Sequence, residues 1–312
     1  MPKEFRQVVW DSSLRDDFRE VLRLALREDL GSSGDCTTMA LVPEGAMGRA
    51  EVVARQEGVV AGLPAAETAL AEIDPRVHWE PSSEDGDVVH AGGRLARISG
   101  PAGSLLAAER IVLNLLGRLS GIASLTQKYV EAICGTKARI FDTRKTIPGW
   151  RQLEKYAVRC GGGWNHRTGL FDAVLIKDNH LALGSQAAGG GPRYRPAEAV
   201  LRARQWIKQR GALSEGLPVI VEIEVDTLDQ FMEVLPAGPD IVLLDNMTPA
   251  VLRAAVAFRN TGFPGIELEA SGGVNLHTVR AIAETGVDRI SAGALTHSAV
   301  ALDIGLDWLM ES

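Results

Sequence analysis

Between Arg139 and Leu181 the chain reads RIFDTRKTIPGWRQLEKYAVRCGGGWNHRTGLFDAVLIKDNHL, a stretch that carries Arg144, Lys145, His166, Arg167 and Lys177. The 312-residue protein as a whole has a formal net charge of −7. An acidic chain that gathers cations in two strand-loop units builds a pocket for a small polyanion. DTRKT follows the strand-like RIF, and KDNH follows the strand-like AVLI. Both clusters therefore lie at carboxyl ends of β-strands, where α/β barrels carry their chemistry. Guanidinium forks and ammonium point charges suit carboxylates and phosphates. His166, between Asn165 and Arg167 in a glycine-bounded loop, joins this set.

Acidic residues complete the inventory. In VEIEVD, Glu222 and Glu224 are two apart and face one side of a strand, and Asp245 ends IVLLDN one strand later. Such carboxylates bind sugar hydroxyls or a magnesium ion carried by phosphates; alternatively they balance Lys145 and Lys177 in a buried ion network. Near the end, LEASGGVN and ISAGALTHS make Ser271, Gly272, Gly273 and Gly293 candidates for a phosphomonoester cradle of backbone N–H groups, with His297 nearby in the chain. Ordinary tight turns are the competing reading. The chain has no Ser-His-Asp order, HExxH or Walker loop, which leaves a site that works by positioning and electrostatics.

Elements must hold these residues in place. Leu14, Phe18, Val21, Leu22 and Ala25 recur at helical spacing, with Ser12 or Ser13 as the expected cap and Gly31 as the end. AEVVARQEGVVAGL, VHWE, DVVH and GRLARI are short β-like runs, so the amino-terminal part is a small α+β domain. From Gly103 a long helix follows. In its first part Glu109, Arg110 and Arg118 are the only charges, which implies burial on most sides. An internal Glu–Arg pair is one reading of these charges; an Arg110 that reaches an anionic ligand, across a subunit boundary, is the other.

Six strand-like segments then alternate with helical ones: ARIFD, AVLIK, VIVEIEV, DIVLLDN, GIELEAS and RISAGAL. Apolar, β-branched strands in βα repetition indicate a parallel sheet covered by helices. An open doubly wound sheet and a barrel lacking one or two visible strands both fit. Polar residues at nearly every strand end favour the barrel. The glycine-rich piece around 184–196 reads as a mobile loop beside the site.

Bulk properties narrow the function. The 46% hydrophobic content is ordinary for a globular protein, and no basic face exists for nucleic acid. Three widely spaced cysteines, Cys36, Cys134 and Cys160, suggest neither a disulfide framework nor a thiolate zinc site. No signal core and no membrane span are visible, so the expectation is a cytoplasmic enzyme.

From EDLGSSGDCTT through DTRKTIPG, EKYAVRCGGGWNHRTGLFDAVLIKDNH, VEIEV, LLDN and EASGGV to SAGALTHS, the chain resembles the quinolinate phosphoribosyltransferases, the carboxylating nicotinate-nucleotide pyrophosphorylases of NAD biosynthesis. The resemblance implies an incomplete, TIM-like α/β barrel of parallel strands at 118–296. It also implies a smaller α+β domain at 1–117 joined by 297–312, and at least a homodimer with shared active sites. The implied reaction joins quinolinate to 5-phosphoribosyl 1-pyrophosphate, with Mg2+ as cofactor, and releases nicotinate mononucleotide, pyrophosphate and CO2. By the same resemblance Arg144 and Arg167 match quinolinate-binding arginines, with His166 beside them and Arg110 entering from the neighbouring subunit. Lys145 and Lys177 match lysines near the substrates. Glu224 and Asp245 match ribose or magnesium carboxylates, and Ser271, Gly272, Gly273, Gly293 and His297 the phosphate region. Trp150, Trp164 and Ile147 depart from the family pattern, and GGGPRYR is longer than usual. Two alternatives stand beside this reading: a molybdate-associated paralogue with another substrate, and a non-catalytic barrel that holds a phosphorylated metabolite.

Overall fold

The computed structural model describes residues 4–184, 194–210 and 219–309, so most of the glycine-rich segment expected to form a loop lies outside the described residues. The chain divides into two compact units. One, the barrel unit, gathers Met1–Gln7, Lys128–Arg144 and Trp164–Ala294; the other, the α+β unit, gathers Val8–Gln127, Lys145–Gly163 and Leu295–Ser312.

In the α+β unit, strands β1 (Met47–Ala54), β3 (His78–Pro81), β5 (Arg94–Pro101) and the carboxyl-terminal β12 (Ile304–Trp308) form an antiparallel sheet in the order β12-β1-β5-β3. A separate short ladder joins β2 (Gly58–Val59) to β4 (Val88–Val89). The helices are α1 (Ser12–Leu30), α2 (Cys36–Leu41), α3 (Leu63–Ile73), α4 (Ala102–Ala132) and α5 (Arg151–Cys160). Helix α1 buries Leu14, Phe18 and Leu22. Its cap is Asp11, not Ser12 or Ser13: the Asp11 carboxylate accepts from the Leu14 N–H at 2.9 Å. An ionised cap also complements the helix dipole, which a serine cannot. Gly31 ends the helix at φ 54.

The expected division at 117/118 falls inside α4, which runs on unbroken, and compactness puts the change at 127/128 instead. Residues 145–163 also join the α+β unit. Their helix α5 is tied to α4 by a buried ion pair, the Arg118 guanidinium donating to the Glu154 carboxylate at 2.5 Å and to the carbonyls of Thr296 and Ala299. A buried Glu–Arg pair was one sequence expectation for α4; its acid is Glu154 of α5.

The barrel unit contains β6 (Arg139–Phe141), β7 (Val174–Ile176), β8 (Val221–Val225), β9 (Ile241–Asp245), β10 (Glu267–Ser271) and β11 (Arg289–Ser291). Between them run α6 (Asp178–Gly184), α7 (Pro196–Arg210), α8 (Leu228–Val234), α9 (Pro249–Gly262) and α10 (Val279–Ala283); α11 (Ala294–His297) follows β11. All neighbours pair in parallel, in the order β6-β11-β10-β9-β8-β7. From β7 to β11 strands that neighbour in sequence also neighbour in the sheet, and β6, the first, lies beyond β11, the last. That is barrel order, not doubly wound order.

At the free edge of β6 an extended residue, Trp164, makes a single parallel bridge to Phe141. Its N–H donates to the Ile140 carbonyl at 2.8 Å, and its own carbonyl accepts from Asp142 N–H at 3.0 Å. The barrel is incomplete at this seam. Its floor is a cluster of Phe5, Phe141, Ala173, Ile220 and Ile241, with Trp164 packed against it. The family departure at Trp164 therefore fills core.

Gly161 tests the α4–α5 contact. A Cβ there would lie 2.3 Å from the Ala123 carbonyl oxygen and 2.7 Å from Thr126 Cβ. Gly161→Ala is expected to cost ~1–3 kcal/mol in urea unfolding. Gly262→Ala, whose Cβ would meet nothing within 4 Å, should stay within ~0.5 kcal/mol.

Candidate active site

Alternation along parallel strands sets what faces the barrel interior. Register pairs Leu175 with Glu222, Glu224 with Leu243, Leu243 with Glu269, Glu269 with Arg289, and Arg289 with Arg139. The interior is therefore layered, and much of it is charged.

At the amino-terminal end Arg289 is fully buried, paired with Glu267 and Glu4, with its guanidinium 4.7 Å from the Phe141 ring centre and 5.4 Å from that of Phe5. Arg139 pairs with Glu4 at 2.9 Å and Glu267 at 3.5 Å, and lies 4.7 Å over Trp164. The middle layer holds Glu222 and Glu269, both fully buried. His166 enters it from the seam: Nε2 is 3.0 Å from Glu222 Oε2 and 3.6 Å from Glu269 Oε1. Burial pushes both carboxyls up to about 7, and at Glu269 the charge of Glu222 adds to the rise. The carboxyl-terminal layer carries the Lys177–Glu224 ion pair and Asp245, which lies in register with Ser271.

The loops at that end are tightly held. Asp142, buried, accepts from the His166 N–H at 2.8 Å and from Asn165 Nδ2 at 2.7 Å. Gln7 grips Asn165 through its carbonyl and N–H. Asn246 has φ 52; its N–H donates to the Ser271 carbonyl at 2.9 Å and its amide to Asp245 at 2.7 Å. Gly272, at φ 87, must be glycine because a Cβ would stand 2.2 Å from Asn246 Oδ1.

Of the cationic groups expected to grip carboxylates, Arg144 is close enough for its charge to act on Arg167. Arg167 is 6% exposed, and no carboxylate lies within ion-pair distance of it among the described residues. Burial lowers its pKa, and the neighbouring Arg144 charge lowers it further. Two guanidiniums held against their repulsion are a standing site for a dianion.

Of the residues expected from sequence, Arg144, His166, Arg167, Lys177, Glu224, Asp245, Ser271, Gly272, Gly273 and Gly293 belong to the barrel unit, at its strand ends and the loops after them; Arg110, Lys145 and His297 belong to the α+β unit. There Lys145 is exposed and its carbonyl accepts from Thr296 Oγ1 at 2.7 Å. His297 is exposed beside Ser298, its Nδ1 2.8 Å from Oγ. Arg110 is exposed on α4 and lines a surface depression with Asp35, Thr38 and Glu109. The expected face shared by Glu222 and Glu224 is present, but the two do different things: Glu224 meets Lys177 and Glu222 meets His166.

Sequence reading missed Asp142, Glu269, Arg289 and Phe5. Glu269 had a signal, since it stands two before Ser271 and so shares its face. His166, Glu222 and Glu269 also form a potential metal cluster, with ligand atoms within 4.8 Å of one another. The charges of Arg289 and Arg167 already act on Glu222, so a divalent cation would add positive charge where the protein supplies it.

Comparison with known proteins agrees with this geometry. The family described as "Quinolinate phosphoribosyl transferase, C-terminal domain" matches residues 122–307, and the corresponding N-terminal domain family matches residues 35–120. A probable carboxylating nicotinate-nucleotide pyrophosphorylase of Bacillus subtilis is 41% identical over 289 residues, 93% of this chain and 92% of that protein. The carboxylating nicotinate-nucleotide pyrophosphorylase of Mycobacterium leprae is 43% identical over 94% of this chain and 97% of its own length. The solved structure of the nicotinate-nucleotide pyrophosphorylase from Francisella tularensis superposes with a TM-score of 0.85 at 35% identity, covering 98% of this chain and 100% of that one. With both domains matched and relatives similar along nearly their whole length, the chain belongs to the quinolinate phosphoribosyl transferase family.

Proposed function

We propose that this protein is a decarboxylating quinolinate phosphoribosyltransferase, a pentosyltransferase that converts quinolinate and 5-phosphoribosyl 1-pyrophosphate to nicotinate mononucleotide, pyrophosphate and CO2. The observation that carries this reading is Arg167, a buried guanidinium with no carboxylate within ion-pair distance among the described residues and with the charge of Arg144 acting on it, which suits it to a ligand carboxylate. The names of the relatives support the same reaction.

In this reading Arg144 and Arg167 hold the two carboxylates, with Arg110 contributed by the second subunit of a homodimer. The pyridine nitrogen donates its lone pair to ribose C1 as the bond to pyrophosphate breaks. Glu224 and Asp245 stabilise positive charge on the ribose ring. The nitrogen is then quaternary, so the ring accepts the electron pair left when the 2-carboxylate departs as CO2, and that carbon takes up a proton. Lys177 serves as an ammonium group beside the reacting atoms, and Ser271, Gly272, Gly273 and Gly293 receive the phosphates.

Magnesium fits the carboxyl-terminal layer, where Glu224 and Asp245 are partly exposed hard oxygen donors. When bound with pyrophosphate it would neutralise the leaving group. Closing such a site expels water and leaves the fixed charges to act at low dielectric.

Nicotinate lacks the 2-carboxylate and would leave one guanidinium buried and unmatched. That mismatch costs ~3–5 kcal/mol, so quinolinate should be preferred at least about a hundredfold in kcat/KM; comparable turnover of the two acids refutes the proposal. Glu224→Ala and Asp245→Ala should lower kcat by about a hundredfold or more while quinolinate Kd, measured by calorimetry, changes less than about threefold. The shared site predicts complementation. Arg110→Ala and Arg144→Ala homodimers should each be nearly inactive, and reassembly of a mixture should restore about a quarter of wild-type activity, through heterodimers with one intact site. Verified heterodimers as inactive as their parents would place Arg110 in its own subunit's chemistry.

A further inference from the structure

We infer that His166 is a positioning residue, not a substrate ligand, and that Glu222 and Glu269 form the buried seat through which it aims Arg167 at the dicarboxylate. This deepens the proposed reaction and takes the identity of the substrate from it.

Both ring nitrogens and one ring face are occupied. Its Nδ1 accepts the Arg167 main-chain N–H at 2.8 Å. A nitrogen that accepts carries a lone pair, so the ring proton is on Nε2 and the imidazole is neutral. Protonating Nδ1 would set two hydrogens against each other and release Arg167. Nε2 points into the middle layer, 3.0 Å from Glu222 and 3.6 Å from Glu269. One ring face stacks on Phe5, with centres 4.3 Å apart and planes at 30°. Only 5% of the residue is exposed. A substrate carboxylate that bonded a ring nitrogen would have to displace the Arg167 amide at Nδ1 or Glu222 at Nε2.

The main chain on either side is equally fixed. Asp142 holds the His166 N–H and His166 holds the Arg167 N–H, so successive amides are tied to buried side chains. From that anchored backbone the Arg167 guanidinium extends to within 3.4 Å of the Ala173 carbonyl. The direction of the arginine is thereby set from below.

Among the described residues no donor meets the Glu222 carboxylate in good alignment, although Nε2 of His166 comes close, and Glu269 is helped by the Ser291 hydroxyl. The short Nε2 contact is thus an electrostatic approach off the N–H axis; Arg289 offsets the charge of both carboxylates, joined at Glu222 by Arg167 and Lys177. Buried acids held this way are costly, and their cost is understandable if they constrain something. What they touch is the ring that fixes Arg167.

The test combines a spectrum with kinetics. In protein labelled with 15N-histidine, with His166→Asn used to assign the signals, the His166 ring is expected to show the neutral Nε2–H pattern and to keep it at saturating quinolinate. A cationic pattern, or a change of tautomer on adding quinolinate, overturns the inference. In steady-state assays Glu269→Gln should raise the quinolinate KM about tenfold while the phosphoribosyl pyrophosphate KM stays within about twofold. His166→Asn retains an acceptor near the Nδ1 position and should keep at least about a tenth of wild-type kcat/KM, whereas His166→Phe should lose more than about a hundredfold. If the asparagine variant is folded by circular dichroism yet as inactive as the phenylalanine variant, His166 contacts substrate. One equivalent of a divalent metal in purified wild type, absent from Glu269→Gln, would make the cluster a metal site instead. The ligand-free spectrum needs no turnover, so a wild type that fails to turn over quinolinate defeats the proposed reaction separately from the assignment of His166.

Discussion

Charge buried inside the barrel is the constraint from which the rest of the barrel unit follows. Barrels of this kind usually fill their interior with branched apolar side chains. Here Arg289 lies at the bottom with no exposure, and an uncompensated guanidinium in that place would not be tolerated. Glu267 and Glu4 pair with it while Phe5 and Phe141 cover it. The amino-terminal residues are thereby recruited to the barrel unit, and Phe5 brings with it the surface on which His166 stacks.

Each layer hands a requirement to the one above. Glu222 and Glu269 are acceptable beside Arg289 because their charges oppose it, and Nε2 of the His166 imidazole stands 3.0 Å from Glu222. The imidazole fixes Arg167, on which the charge of Arg144 acts. Beside them Glu224 already has Lys177. In a site assembled this way the geometry of the outermost charges is set by groups buried beneath them.

Much of this was legible beforehand. The six strands of the barrel unit stood out as apolar, β-branched runs, and polar residues at their ends separated barrel from open sheet. DTRKT and NHRTG marked a gathering of cations through the types of residue alone. Other elements carried no such signal. Strand β12 is GLDW with one preceding isoleucine, too short and mixed to read as a strand until β1 pairs with it. The unit boundary inside α4 was invisible because an unbroken helix has no turn residues to mark it.

What the sequence determined by itself was the inventory and its local placement: which cations and carboxylates exist, that they end strands, and that Glu222 and Glu224 share a face. Only the tertiary structure decided their partners. His166 and Glu222 are 56 positions apart (222 − 166), and Arg289 meets Glu4 from the opposite end of the chain. Strand periodicity fixes the face on which a side chain lies but not the register between strands, and register chooses which charge stands opposite which. The choice between binding substrate and holding another residue in place is made at that level, because it depends on what else lies within 3 to 4 Å.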